Sequence, residues 1–213
     1  MGRFLDEMVF TARQRSGRLR VPDMPHFDSP ESTAWFLKQL EGSKLYLEYG
    51  TGGSTYQAAR LGIDFIAVDT DSYFLDSVRA KIHAAGMERA GQLYWHADIG
   101  WTGTWGRPLG RVTDHRRELF RRASDPPPKC FDGRQPDLVL IDGRFRVASA
   151  FKVFNMLSAQ TGWMVVVDDY TDRAYYREIE DYAEVKLVGR MAVIQSAQPV
   201  PSDVITRWET DFN

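Results

Sequence analysis

Five short apolar runs in this chain each stop at, or run into, a carboxylate. Residues 45–49 carry Glu48 and halt at Gly50; 65–69 end in Asp69; 92–98 end in Asp98; 138–142 end in Asp142; 163–168 end in the pair Asp168–Asp169. Runs of this length bounded by glycine or polar residues read as buried parallel strands. Helical spacing fills the gaps between them, at 54–60, at 73–85 (Phe74, Leu75, Val78, Ile82), at 147–157 and at 175–182. Strand and helix in alternation predict an α/β fold, a doubly wound and mostly parallel sheet. Residues 185–188 and 191–195 flank Gly189–Arg190, a two-residue turn that adds an antiparallel C-terminal hairpin. Open sheets of this kind bind ligands beyond the carboxyl ends of their strands. The acids therefore gather on the edge where a site is expected.

The 213 residues suit one domain. They divide into an N-terminal arm at 1–30 with Pro22, Pro25 and Pro30, a core at 31–198 and a tail at 199–213. Ser29 or Ser32 is placed to cap a helix running through Gln39 to Gly42. In the tail, Val204, Ile205, Trp208 and Phe212 share a helical face, which docks on the body or pairs with a second copy; monomer and homodimer both stay open. The net charge of −2 gives no bulk drive toward nucleic acid or membrane. No apolar run approaches the ~20 residues of a membrane span, and the N-terminus is broken by charge where a leader would be apolar. A lone thiol, Cys130, allows neither an intrachain disulfide nor a zinc site of several thiolates. A cytoplasmic setting is the expectation.

Residues 99–136 form an insertion between the third and fourth strands. It holds Trp101, Trp105, seven arginines and Lys129 against four acids, a net +4 that leaves −6 on the remainder. A short helix is expected at 113–122, followed by Pro126–Pro127–Pro128. Two readings stand: a substrate lid whose tryptophans stack on rings and whose arginines hold an anion, or a solvated basic helix that packs its tryptophans on the body. His96 and His115 are single histidines with no evident partner and are not counted in the site.

The first strand leads into Glu48–Tyr49–Gly50–Thr51–Gly52–Gly53–Ser54–Thr55. A dinucleotide fingerprint would need glycine where Thr55 stands, and a carboxylate at Glu48 would repel a pyrophosphate. That disfavours a nicotinamide-dependent dehydrogenase. An acid two residues before Gly-x-Gly suits a ligand carrying an ammonium and a sulfonium. In these residues the chain resembles the class I S-adenosylmethionine-dependent methyltransferases, over roughly residues 44–197. The resemblance implies their Rossmann-like fold and S-adenosylmethionine as cofactor. It places Asp69 on the ribose hydroxyls and Asp98, with Ile99, at the adenine. The implied cofactor set is Glu48, Gly50, Thr51, Gly52, Gly53, Ser54, Asp69, Asp98 and Ile99.

Asp142–Gly143–Arg144 and Asp168–Asp169 resemble the acids that metal-dependent O-methyltransferases set around magnesium. The departures are Arg144, where the sugar-type enzymes carry an acid, and Phe145, where the catechol type carries its lysine base. A guanidinium there repels a cation, so magnesium is not favoured and no metal ligands are assigned. Arg144 is expected to pair with Asp168 or Asp169, or to clamp an anionic substrate. Asp169 is the first choice for catalytic base, with Asp142 and Arg144 beside it. The segment 142–148, with 99–108, 168–173 and 189–192, is similar to bacterial methyltransferase-like proteins of unassigned reaction. The expected function is O-methyl transfer to a small acceptor, anionic or carbohydrate-like, with nucleic acid not favoured. The rival from another class is a cofactor-binding or regulatory protein that has lost transfer.

Overall fold

The computed structural model describes residues 8–10, 12–14, 16 and 19–212; the remaining arm positions, and with them part of the leader reading, lie outside the described residues. Seven strands form one sheet: β1 (Leu45–Tyr49), β2 (Asp64–Asp69), β3 (Gln92–His96), β4 (Leu138–Ile141), β5 (Met164–Val167), β6 (Lys186–Val188) and β7 (Met191–Ile194). Their order is β3-β2-β1-β4-β5-β7-β6. β1 to β5 run parallel, while β7 is antiparallel to both β5 and β6. β1 lies between β2 and β4, so the strand order reverses there and a crevice opens beyond its carboxyl end.

The helices are α1 (Pro30–Glu41), α2 (Gly53–Leu61), α3 (Ser72–Ala84), α4 (Asp114–Ala123), α5 (Arg146–Leu157) and α6 (Ser202–Trp208). Ser29 caps α1 by accepting from the Ser32 amide at 3.0 Å, and Pro30 follows in the first turn, where its missing N–H costs nothing. Asp71 caps α3 and Thr113 caps α4 in the same way. Strand alternation sorts the core. Leu45, Leu47 and Tyr49 face one side with Phe151, Phe154 and Ile205; Tyr46 faces the other with Phe36, Leu40, Ala58 and Val78. The tail docks as one of its two readings expects, with Val204 and Ile205 buried in the first layer and Trp208 and Phe212 packed against it.

Two expected elements differ. The segment at 175–182 is a 3-10 helix, Ala174–Asp181, and not an α-helix. Tyr176, Ile179 and Tyr182 recur every third residue, which suits three residues per turn, and the first two are fully buried. β3 stops at His96, two residues short of Asp98.

Candidate functional site

Beyond β1, Gly50 takes φ +94°, and a Cβ there would lie 2.7 Å from the Gly143 nitrogen in the loop after β4. Only glycine allows the two loops to touch. At Gly53 a Cβ would meet the Met24 carbonyl oxygen at 2.1 Å, so the arm crosses directly over the start of α2. Other bonds tie the arm down: Gln57 Nε2 donates to Asp23 O at 2.6 Å, Lys81 Nζ to Val21 O at 2.9 Å, and the Arg190 amide to Asp28 at 3.1 Å. Between arm and strand ends lies a cavity of about 1000 Å³. Its walls come from residues 19–26 without Val21, the glycine loop from Tyr49 to Ser54, Asp69 to Asp71, Trp105, and the loops after β4 and β5.

The cofactor set expected from sequence is brought together in part. Gly50, Thr51, Gly52, Gly53, Ser54 and Asp69 line the cavity. Asp69 accepts from the Thr51 amide at 2.8 Å, from its hydroxyl at 2.6 Å and from the Asp71 amide at 2.9 Å. Burial raises its pKa, and those bonds pull it back. Glu48 does not line the cavity. It is fully buried, and its Oε2 accepts from Tyr46 at 2.9 Å and from Ser54 at 2.7 Å. Its Oε1 has no partner among the described residues. Burial pushes its pKa up to about 7, against the hydroxyls of Thr55, Ser54 and Tyr46. Asp98 and Ile99 lie elsewhere. β3 has ended, Asp98 is exposed and accepts from the Gly100 amide at 2.8 Å, and Ile99 is apolar and goes fully into the core. His96 and His115 are exposed.

The acids after β4 and β5 do converge. Asp142, Asp168 and Asp169 offer carboxylate oxygens within 4.8 Å of one another. Their partner is not Arg144, so the pairing, one of the two roles the sequence offered that residue, is not made. Arg146, nearly buried at the start of α5, pairs with Asp142 at 3.1 Å and Asp169 at 3.0 Å. Arg190, from the hairpin turn, grips Asp168 with both Nε (2.9 Å) and Nη2 (2.6 Å) and reaches Asp169 at 3.1 Å. Arg173 adds a contact to Asp169 at 3.2 Å. Arg144 instead donates to two main-chain carbonyls, Trp105 O at 2.8 Å and Phe212 O at 3.4 Å, tying insertion and tail to the β4 loop. Burial and the charges of Arg146, Arg173 and Arg107 lower its pKa.

This arrangement separates the two candidate bases. Three guanidiniums occupy the Asp169 carboxylate. Asp142 meets one, and its side chain is 39% exposed. Desolvation inside the site raises its pKa to about 7, helped by Asp168 and Asp169 and opposed by Arg146. Of the two, Asp142 carries the freer carboxylate. The spacing of three carboxylates suits a hard cation, but the charge does not. A divalent ion would have to displace three guanidiniums that already neutralise those oxygens. The residues present do not fit a magnesium site.

The insertion reaches the cavity only through Trp105, Gly106 and Ala123. None of its arginines lines the cavity. Arg116 donates to the carbonyls of Ile99, Trp101 and Leu109 and so holds the loop's shape, while Arg117, Arg121 and Arg122 pair with Asp114 and Glu118. Trp101 and Trp105 are 79% and 81% exposed, so they do not pack on the body. Sequence reasoning missed Arg146, Arg173, Arg190 and the arm. The Asp142/Arg146 spacing of four was a signal for one pair; nothing local marks Arg190.

No protein-family profile matches the chain, and no curated protein does. Solved structures do. A methyltransferase-like protein from Silicibacter pomeroyi is 29% identical, with TM-score 0.73 over 89% of this chain and all of that one. An O-methyltransferase from Bacillus cereus, solved in complex with SAH, is 15% identical with TM-score 0.52 over 89% of this chain and 90% of that one. The SAH-bound methyltransferase PaMTH1 from Podospora anserina is 11% identical with TM-score 0.50, covering 89% of this chain and 87% of that one. By these likenesses, the chain has the Rossmann-like fold of the class I methyltransferases.

Proposed function

We propose that this protein transfers a methyl group from S-adenosylmethionine to a hydroxyl of a small acceptor. The observation that carries the reading is one cavity that joins the Gly50–Ser54 loop to Asp142. The chain's own residues fit the cofactor. Gly52 has open space where a Cβ would stand, so a ligand can meet bare backbone there, and Asp69 presents a carboxylate to a ribose. Glu48, buried under the loop, carries negative charge once it loses its proton above about pH 7, where a cationic ligand gains from it. When bound, S-adenosylmethionine supplies the electrophilic methyl. Asp142 accepts the acceptor's proton, Arg146 holds Asp142 in place, and the arm over α2 keeps water from the cofactor half.

A cofactor-binding protein without transfer is the second reading, favoured by the full occupation of Asp169. Thermal-shift titration tests the first step: S-adenosylhomocysteine should raise the melting temperature and NAD should not. Release of S-adenosylhomocysteine over a panel of hydroxylated acceptors separates transfer from binding alone.

A further inference from the structure

The turn Thr104–Gly106 puts Trp105 and Gly106 on the cavity wall and is held from both sides. On the β2 side the Thr70 hydroxyl donates to Gly106 O at 3.2 Å, and on the β4 side Arg144 Nε donates to Trp105 O at 2.8 Å. Within the turn, Gly103 N donates to Arg107 O at 2.8 Å, and Thr102 bridges Pro108. Trp105 takes φ +58°, a left-handed backbone that a bulky side chain adopts only when its surroundings force it. So much fixation ends in an indole that makes no ring contact with any described residue and is 81% exposed at the cavity wall. A large aromatic fixed in this way presents a flat apolar face to whatever enters.

Arg144 lies beside it. Among the described residues it has no carboxylate partner, and its Nη2 bonds to none of them. Arg146, Arg173 and Arg190 are satisfied by the three acids, so of the cavity's arginines after β4 and β5 Arg144 alone meets no carboxylate among the described residues. We infer that Trp105 and Arg144 together form the acceptor subsite, which takes a planar ring bearing a carboxylate, stacked on the indole and anchored on the guanidinium. The inference rests on the methyl-transfer reading, since the cofactor half of the cavity must be filled by something else.

The test is calorimetry on the full chain saturated with S-adenosylhomocysteine. Three probes are compared: 4-hydroxybenzoate, 4-hydroxybenzyl alcohol without the carboxylate, and 4-hydroxycyclohexanecarboxylate without the flat ring. The expected result is that 4-hydroxybenzoate binds about tenfold or more tighter than either comparator. Trp105→Ala should remove the advantage over the cyclohexane acid, and Arg144→Gln the advantage over the alcohol. S-adenosylhomocysteine affinity should stay within about twofold in Trp105→Ala. Equal binding of the three probes, no binding by any, or an equal loss of S-adenosylhomocysteine in Trp105→Ala overturns the inference. Failure of the wild type to bind S-adenosylhomocysteine overturns the methyl-transfer reading instead.

Discussion

Asp142, Glu48 and Asp168 are three carboxylates in three electrostatic settings, and each yields a prediction. If Asp142 is the base we propose, it works only when deprotonated, so kcat/KM should rise with pH through about 7 and then level. Asp142→Asn should lower kcat by about 10²–10⁴ with little change in melting temperature. Glu48, also raised to about 7, acts on stability. Between its ordinary value of 4.5 and 7 the native state holds a proton that the unfolded chain has released, so stability falls as pH rises across that window. Glu48→Gln should flatten the slope and, above pH 7, stabilise by on the order of 2–3 kcal/mol, as read from denaturant melts. Asp168 is 1% exposed and gripped by Arg190. Arg190→Met should cost about 3–5 kcal/mol by leaving that charge buried and unpaired. Millimolar magnesium should then recover part of the melting temperature in the variant and none in the wild type; equal responses would contradict the reading of guanidiniums standing where a cation would.

Elements were legible where one apolar period dominated. β1, β2, β4, β5, α1 and α5 fall within one or two residues of the sequence expectation, because strands buried on both faces and helices with one buried face leave a strong local signal. The 3-10 segment Ala174–Asp181 was harder to read, since spacings of three and four differ little over eight residues. The strand end was misplaced at Asp98 for a related reason: the last β2–β3 bond, Ala97 N to Asp69 O at 2.9 Å, falls where β2 itself ends. At this scale the packing of α5 on the sheet is the thing to test. Phe151 is fully buried against Phe154 and Tyr182. Phe151→Ala should destabilise by about 3–5 kcal/mol in chemical denaturation, by lost burial and an unfilled cavity.

Across the whole molecule, the two apolar layers lie on opposite faces of one continuous sheet. We propose that the chain behaves as one folding unit and unfolds in a single cooperative transition, with circular dichroism and tryptophan fluorescence giving coincident curves. No helix among the described residues is long and apolar enough to cross a membrane. The charge split between the insertion and the remainder does not map onto the site: insertion arginines bond carbonyls and local acids, while the cavity's arginines are Arg20, Arg144, Arg146, Arg173 and Arg190. By itself the sequence determined the order of strands and helices, the glycine loop and the gathering of acids on one edge. Those features depend on local periodicity and on backbone freedom at a few glycines. Tertiary structure alone decided which arginines meet which acids, that the arm lines the cavity, and that Trp105 stands exposed at its wall. Arg190 and Asp168 are 22 residues apart, and Arg190 and Asp28 are 162 apart. Pairings at such separations follow from sheet order and loop geometry, to which no local stretch of sequence is sensitive.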